Sequence, residues 1–547
     1  MPSEEQELTL EAPVQETKNG LVRNLRTVGL ATLLSRLLGL ARDISMATLF
    51  GAGTTLDVFI VAFRLPNLTR QLFGEGALTT AFLPVFIREQ TERSSAAARA
   101  TLTSVAIALA SFLSLIVILS EAMIAWALFS FELSESFTLM LQLLAIMLPY
   151  MIFICCAALI SAALHALKVF LWPALVPVVL NVIWLTGVLI AFMVTQDENL
   201  RIRIVAITIT VAGVFQCLLP FYMLHRMKMG LSRNWRTGWA KVSEVILTML
   251  PVVAGLAVIQ VNVILDSIMA WGLAVPEGGG VAPSASLGIE GFLSAGTATG
   301  LYIGQRMYQF PLGVFGIALG TVLFPLLTQH AQSGEIAALR KDLSKGLRLT
   351  IAIALPASAG LFLLASPLTN LLFRHGEFTQ EDSMLTANMI ATYGCGVWAY
   401  IGLTVLNRAF YATGDRMTPM RLGVIALVFN LIMNIALVIP LKGVGLALGS
   451  VLAAATQLTL TTWKINQQIG SLHWDEIRRT LIQTLIATAT MVVACLTVLS
   501  TLDFGDTMAS RFLELMLPLI AGAFSYWFVA KLLGMSEVEE LLKRERG

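Results

Sequence analysis

Charge is what this chain has least of. Asp, Glu, Lys and Arg make up 13 % of its 547 residues, against roughly 25 % in a soluble domain. Apolar residues make up 57 %. Too few polar groups remain to cover a water-facing surface, which excludes a soluble enzyme, a disordered chain and a fibrous one. Cysteine is scarce too. Cys155, Cys156, Cys217, Cys395 and Cys495 all sit in apolar runs, so they read as small core residues without a disulfide framework or metal-ligand spacing. No P-loop pattern occurs, so ATP bound here cannot drive the protein. No short apolar segment behind a basic start precedes the first long apolar run, which predicts no cleaved signal peptide. Residues 1–20, with Glu4, Glu5, Glu7, Glu11 and Glu16, read as a disordered N-terminus.

What the chain does have is long apolar runs. They do not alternate, which favours helices over barrel strands. A hydrocarbon core of about 30 Å needs about 20 helical residues. By that rule fourteen spans are expected, near 25–51, 55–87, 100–129, 138–166, 171–195, 202–227, 242–273, 297–329, 346–373, 382–413, 419–440, 443–468, 479–502 and 511–534. Lys and Arg collect on one side of these spans (Arg88, Arg93, Arg99, Arg233, Arg236, Lys341, Arg478), whereas acids predominate on the other (Glu132, Asp197, Glu277, Asp503). Positive loops face the cytoplasm, so both termini are expected there. The Gly/Ala/Ser-rich loop at 274–296 then lies outside.

The two halves resemble each other. Ala77-Leu-Thr-Thr-Ala-Phe-Leu-Pro84 matches Ala318-Leu-Gly-Thr-Val-Leu-Phe-Pro325, Leu128-Phe129 matches Leu372-Phe373, and Ala166 with Pro173 matches Ala412 with Pro419. A six-span repeat enters the membrane from the same side twice, a parallel repeat. The expected fold is an all-α polytopic membrane protein with two six-helix pseudo-symmetric lobes around a central cavity and two extra C-terminal helices. Its parts are the N-lobe 21–230, an interfacial linker 231–241, the C-lobe 242–470, the added pair 471–536 and a cytoplasmic tail 537–547. Trp235, Trp239, Arg233, Arg236 and Lys241 suit that linker to an anionic leaflet.

Ionisable residues inside spans are the functional signal. Arg36 and Arg42 lie in the first span, Arg64 and Arg70 in the second with Asp57 and Pro66, and Arg306 in the eighth. An arginine at mid-bilayer costs about 2.5–3.5 kcal/mol, so five would cost on the order of 12–17 kcal/mol facing lipid. They must face water, a carboxylate or an anion. The structural alternative is internal ion pairs, Arg42 with Asp43 or Asp57 and Arg70 with Glu75, or snorkelling to headgroups near span ends. Arg36 and Arg306 have no acidic neighbour within a helical turn. Guanidinium forks suit phosphate oxygens, and a one-signed cleft with low-dielectric walls concentrates counter-ions. The ligand class expected is a phosphate- or carboxylate-bearing molecule. A second constellation comprises Asp266, Asn430 and Asn434 at i and i+4, and Ser450. One carboxylate with amide and hydroxyl oxygens suits a small hard cation such as Na⁺. Ordinary interhelical hydrogen bonding explains the same residues.

The run Ser35-Arg36-Leu-Leu-Gly39-Leu-Ala-Arg42-Asp43, Phe50-Gly-Ala-Gly53, Asp57, Phe63-Arg-Leu-Pro-Asn67, Arg70 and Glu75-Gly-Ala77 closely resembles the bacterial lipid II flippase family MurJ (MviN) of the multidrug/oligosaccharidyl-lipid/polysaccharide (MOP) exporter superfamily. Arg306-Met-Tyr-Gln-Phe-Pro311, Gly376-Glu-Phe-Thr379 and Thr418-Pro419 extend the resemblance over most of residues 22–534. The resemblance implies a flippase in the bacterial inner membrane that moves the undecaprenyl-pyrophosphate-linked peptidoglycan precursor to the outer leaflet by alternating access. It implies substrate-binding positions at Arg36, Arg42, Asp57, Arg64, Arg70 and Arg306, and a groove for the lipid tail on the last two spans. It also implies a Na⁺ site at Asp266, Asn430, Asn434 and Ser450, with Leu446 offering a carbonyl. Gln305 and Gln309 flank Arg306 where the family often carries acids. Partners expected are lipid II and membrane lipids, with no nucleic acid, no cofactor beyond Na⁺ as a coupling ion, and a functional monomer. The competing classes are a flippase of another polyprenyl-linked glycan, another MOP-type exporter, a polyprenyl-phosphate transferase and a membrane scaffold. An organic-cation exporter would want an acidic, aromatic cavity, a transferase would want clustered carboxylates, and a scaffold needs no charged midplane.

Overall fold

A computed structural model describes residues 12–278 and 280–542; the expected extreme N-terminus at 1–11 and the tail end at 543–547 lie outside the described residues. Nearly everything described is helix, as lipid demands of a backbone that has no water to bond. Residues 12–20, expected to be disordered, are the first turns of the helix Ala12–Phe50. Ten described helices are long and apolar enough to cross a membrane, eleven if the bent pair Gln380–Gly394 and Val397–Ala412 counts as one span.

The count falls below fourteen for local reasons. The helix Ala12–Phe50 carries Arg36, Arg42 and Asp43 in its apolar half. The second expected span is divided into Thr54–Thr69, a π-helical stretch Arg70–Ala77, and Leu78–Arg88. The 53-residue helix Met417–Ile469 is two helices meeting at Lys442, whose φ of 52° and ψ of −138° are not helical. Pro440 just before it removes a backbone donor and favours the break.

Caps and breakers set the ends. Ser94, Ser134, Asp197 and Thr507 each accept a backbone N–H of the helix they precede, and Thr379 forms a capping box with Asp382. Pro149 separates Glu135–Met147 from Tyr150–Ala166.

Two compact units result. The first runs to Leu49 and takes in Val61–Ala257; the second is Phe50–Ile60 with Val258 onward. The expected linker falls in the first unit and residues 471–536 in the second. Two helices, Thr54–Thr69 and Val242–Gly272, contribute to both.

In the first unit, the linker holds a short 3₁₀ helix, Trp235–Lys241, bedded on the helix Ser95–Ser130. Arg99 donates to the Gly230 carbonyl at 3.0 Å, the Ser232 N–H donates to Thr103 Oγ1 at 2.8 Å, and Ser104 donates to the Trp235 carbonyl. Gly238 lies so close to the backbone of Ala100 and Thr101 that no side chain would fit. Arg88 grips Glu244 with contacts of 2.7 and 2.8 Å, and Lys241 reaches buried Glu89 at 3.3 Å.

In the second unit, the added helices Trp474–Thr501 and Met508–Leu532 pack on each other and on Ile336–Leu363. Gly522 makes room for Cys495 and Met491, Gln483 donates to the Leu533 carbonyl at 2.8 Å, and Tyr526 donates to the Ala352 carbonyl. Their outer faces stay apolar and exposed (Leu485, Ile486, Val493, Phe524, Phe528), as lipid rather than water requires. The 274–296 loop carries a parallel bridge between Ala274–Val275 and Leu293–Ser294, and its Glu277 N–H donates to Thr54 Oγ1 at 3.2 Å.

The internal repeat is visible in the backbone. The matched Ala-Leu-X-Thr segment begins on the last residue of the π-helical stretch Arg70–Ala77 in one copy and just past the π-helical stretch Leu312–Gly316 in the other. Two residues beyond the matched Ala166 and Ala412, the chain turns through positive φ at Lys168 (60°) and Gly414 (82°). The same closing bond follows each turn, Val169 N–H to the Leu164 carbonyl (2.9 Å) and Asp415 N–H to the Phe410 carbonyl (3.0 Å).

Candidate functional site

The arginines of the first unit have unequal surroundings. Arg36 is exposed, and Arg64 and Arg70 are half-buried. Arg42 is only 4 % exposed. It bonds Asp43 Oδ1 through Nε (3.0 Å) and Nη2 (2.7 Å), reaches Asn181 Oδ1 at 3.2 Å, and lies 4.3 Å over the Trp184 ring. Asn181 also donates to the Ser35 carbonyl, tying the helix Leu171–Val194 to the turn that presents Arg36. Arg70 donates to Asn67 Oδ1 at 2.8 Å. Arg42 is therefore neutralised by a protein acid, and through Asn181 it is linked to the Ser35 carbonyl next to Arg36. Asn181 and Trp184 were not legible as partners, because one amide and one indole in an apolar run look like core.

In the second unit, Asp57 is 1 % exposed. It accepts from Gly296 N (2.8 Å), Thr299 N (2.7 Å) and Thr299 Oγ1 (2.7 Å). A carboxylate on the free N–H groups at a helix start is a cap. Asp57 thus fixes the beginning of Thr297–Pro311, the helix that carries Arg306. Arg306 is exposed, and its Nε and Nη2 lie 3.2 and 3.1 Å from the Tyr302 hydroxyl one turn earlier. Gly300 and Gly304, one turn apart, let this helix approach Gln380–Gly394 closely; a Cβ on Gly304 would stand 2.8 Å from the Tyr393 ring.

The polar constellation assembles in this same unit. Asp266 is 1 % exposed. Asn434 Nδ2 donates to its Oδ1 at 2.6 Å, and Ser450 Oγ donates to its Oδ2 at 2.8 Å. Asn430, with its amide turned to satisfy its neighbours, donates to Asn262 Oδ1 (2.8 Å) and Asp266 Oδ1 (3.2 Å) and accepts from Ser450 N (3.0 Å). Leu446, one turn before Ser450, is fully buried. Asn262 was missed from the sequence, although it stands at i−4 to Asp266 and so on the same helix face.

The donor set fits a small hard cation. Amide N–H and hydroxyl groups stand around the carboxylate where a cation would, and rotating each amide presents an oxygen instead. Asn434 Oδ1 is buried with no hydrogen-bond partner among the described residues, a cost a cation would remove. Gly449 has its missing side chain in the place that oxygen occupies. No described group of three or more His, Cys, Asp or Glu forms a transition-metal site.

Comparison with known proteins places these features in a family. The family model described as "Lipid II flippase MurJ" matches residues 46–513. The "Lipid II flippase MurJ" of Burkholderia cenocepacia is 32 % identical over 435 residues, covering 77 % of this chain and 79 % of that protein. A "Probable lipid II flippase MurJ" of Buchnera aphidicola is 28 % identical over 94 % of this chain and 98 % of its own. Among solved structures, a lipid II flippase MurJ in an inward closed conformation aligns with a TM-score of 0.73 at 21 % identity, over 94 % of this chain and 99 % of that one.

Proposed function

The chain belongs to the lipid II flippase MurJ family, and from that premise we propose that it carries lipid II from the cytoplasmic to the outer leaflet of the bacterial inner membrane. The observation that carries this is a set of guanidinium groups inside apolar helices, with Arg36 and Arg306 exposed. A pyrophosphate cannot enter hydrocarbon unaided, and paired forks offer it two-point contacts. In this proposal Arg36, Arg64, Arg70 and Arg306 bind the phosphates, Arg42 holds Arg36, and Asp57 holds the helix of Arg306. The apolar tail stays in lipid along the outer faces of Trp474–Thr501 and Met508–Leu532. The sugar–peptide head is exposed to one side of the membrane at a time by alternating access. No bond is made or broken, so the protein is a transporter and not an enzyme.

Fourteen spans follow if Met417–Ile469 counts as two and the charged first and second helices cross as well. An even count puts both termini on the same side, and the basic loops make that side the cytoplasm in this proposal. Na⁺ at Asp266, Asn430, Asn434 and Ser450, with a carbonyl from Leu446, is the proposed coupling ion. Membrane potential is a second source of drive, since one charge moved through 100 mV is worth about 2.3 kcal/mol.

The test is lipid II accessibility in proteoliposomes for Arg36→Ala and Arg306→Ala. Exposed Arg478 serves as control. Arg348 would not, because it pairs with Glu476 at 2.7 Å. Losing a charge-assisted contact worth about 1.5–3 kcal/mol should weaken lipid II binding roughly ten- to hundredfold. Equal transport by all three variants would sink the proposal. Competition by another polyprenyl-linked glycan with equal affinity would widen the substrate class.

A further inference from the structure

One more arginine lies inside an apolar helix and has no part in the mechanism above. Arg408, on Val397–Ala412, is half-buried. No carboxylate pairs with it among the described residues. Its guanidinium carbon stands 5.4 Å from the centre of the Phe324 ring. Its chain runs along Gly320, where a Cβ would come within 3.5 Å of Nε. A ring face leaves the charge unneutralised, and an ionisable residue within a span faces a protein partner or water.

The rest of the helix says which. Its positions that are not buried are Trp398, Tyr400, Thr404, Asn407, Arg408 and Tyr411. Ile401, Val405, Leu406, Ala409 and Phe410 are buried. Apart from Trp398, the open positions follow helical spacing and form one polar stripe. A helix turned to lipid shows the reverse, as the last two helices do. The stripe is therefore wetted. Arg408 alone, one turn from the helix end, could snorkel to a headgroup; Thr404, a turn deeper, is too short. The fold does not demand the stripe either. In the first copy of the repeat, where Ala166 matches Ala412, the positions of Tyr400, Thr404 and Arg408 are held by Ile154, Ala158 and Ala162. Asn407 Oδ1 is buried with no hydrogen-bond partner among the described residues, and turning the amide offers that acceptor to a ligand.

The stripe follows the helix that carries Arg306. Tyr400 stacks on Tyr308 at 4.4 Å. Phe324, under Arg408, comes 18 residues after Arg306 on the span Thr297–Gln332, about 27 Å at about 1.5 Å per residue. That separation suits a ligand with phosphates at one end and a peptide acid at the other; five extended residues alone cover about 17 Å. Tyrosine rings suit sugar C–H faces, an amide suits hydroxyl and peptide groups, and a guanidinium suits a carboxylate. We propose that this stripe receives the sugar–peptide head of the substrate, with Arg408 pairing a carboxylate of the peptide arm. The inference rests on the lipid II reading above.

The experiment measures binding to the full chain in nanodiscs of zwitterionic lipid. Two ligands are compared: lipid II, and undecaprenyl pyrophosphate, which has the diphosphate and tail but no head. Arg408→Gln should weaken lipid II binding about ten- to hundredfold and leave undecaprenyl pyrophosphate within about twofold. Arg408→Lys, which keeps the charge, should recover most of the loss. Lipid II with its peptide carboxylates amidated should bind the unaltered protein as weakly as native lipid II binds Arg408→Gln, and the variant should weaken it no further. Full-strength lipid II binding by Arg408→Gln overturns the inference. So does equal weakening of both ligands, since a head-group contact cannot touch a ligand without the head. So does amidated lipid II that binds as tightly as the native form. The lipid II reading survives all three and falls only if the unaltered protein binds neither ligand.

Discussion

Asp57 and Asp266 are both carboxylates sunk in apolar helices, yet their neighbours give them different work. Asp57 faces backbone N–H groups at a helix start that cannot move away from it. Asp266 faces amides and a hydroxyl that can turn. Replacing Asp57 by Ala should destabilise the protein by about 1–3 kcal/mol, the cost of stranded buried donors, with no change in any Na⁺-induced thermal shift. Gly449→Ala should behave oppositely. Its new Cβ displaces the Asn434 oxygen, so the Na⁺-induced shift should vanish. Thermal unfolding with and without Na⁺ reads both. At this scale the sequence exposed the charged residues and hid their partners. Arg36, Asp266 and Arg306 stood out because lipid penalises charge. Asn262, Asn181 and Tyr393 did not, because amides and aromatic rings are ordinary in helical cores and only the fold shows what they touch.

Among elements, the repeat reaches the level of single turns, but its two copies solve the same turn differently. Lys168 occupies the positive-φ corner that Gly414 occupies in the second copy. The left-handed region costs a side chain about 1–2 kcal/mol. Gly414 has open space around its Cβ position, so Gly414→Ala should lose about that amount through backbone strain alone. Lys168→Gly should change stability in the favourable direction. Chemical denaturation of both variants measures the two signs. The loop joining the last two helices has its own staple. Arg511 bonds Asp506 (3.0 Å) and Arg374 joins it (3.1 Å). The Arg511 hydrogen bond, with Arg374 nearby, holds the Asp506 carboxylate below its usual range against a small desolvation cost. A group depressed in this way stabilises the fold above its unfolded pKa, and the contribution is lost as pH falls through the folded value. Acid titration of thermal stability should therefore show a loss below about pH 4 that Asp506→Asn lacks. Apolar runs and prolines made most helices legible beforehand. The break at Lys442 was legible too, since the expected spans 419–440 and 443–468 part there beside Pro440, but the π-helical stretches were not, since such backbone states follow from packing and leave no composition signal.

For the molecule as a whole, the balance of drive can be read from transport. If Na⁺ at Asp266 couples, Asp266→Ala should make lipid II flipping in proteoliposomes insensitive to a Na⁺ gradient while a response to imposed voltage persists. Loss of both responses would assign the voltage dependence to the same carboxylate. The fold class and family were legible from the chain because scarce charge, a repeat and one dense motif all pointed the same way. The closeness of Asp266 and Asn434 also bears on how the polypeptide is made. These partners are 168 residues apart, so at about 5–20 residues per second the ribosome supplies Asn434 about 8–34 s after Asp266. Through that interval the nascent helix Val242–Gly272 carries the Asp266 carboxylate without Asn434, a charge the translocon disfavours by about 2.5–3.5 kcal/mol. That helix should therefore settle into the bilayer late, waiting at the insertase until the chain's later segments emerge to receive it.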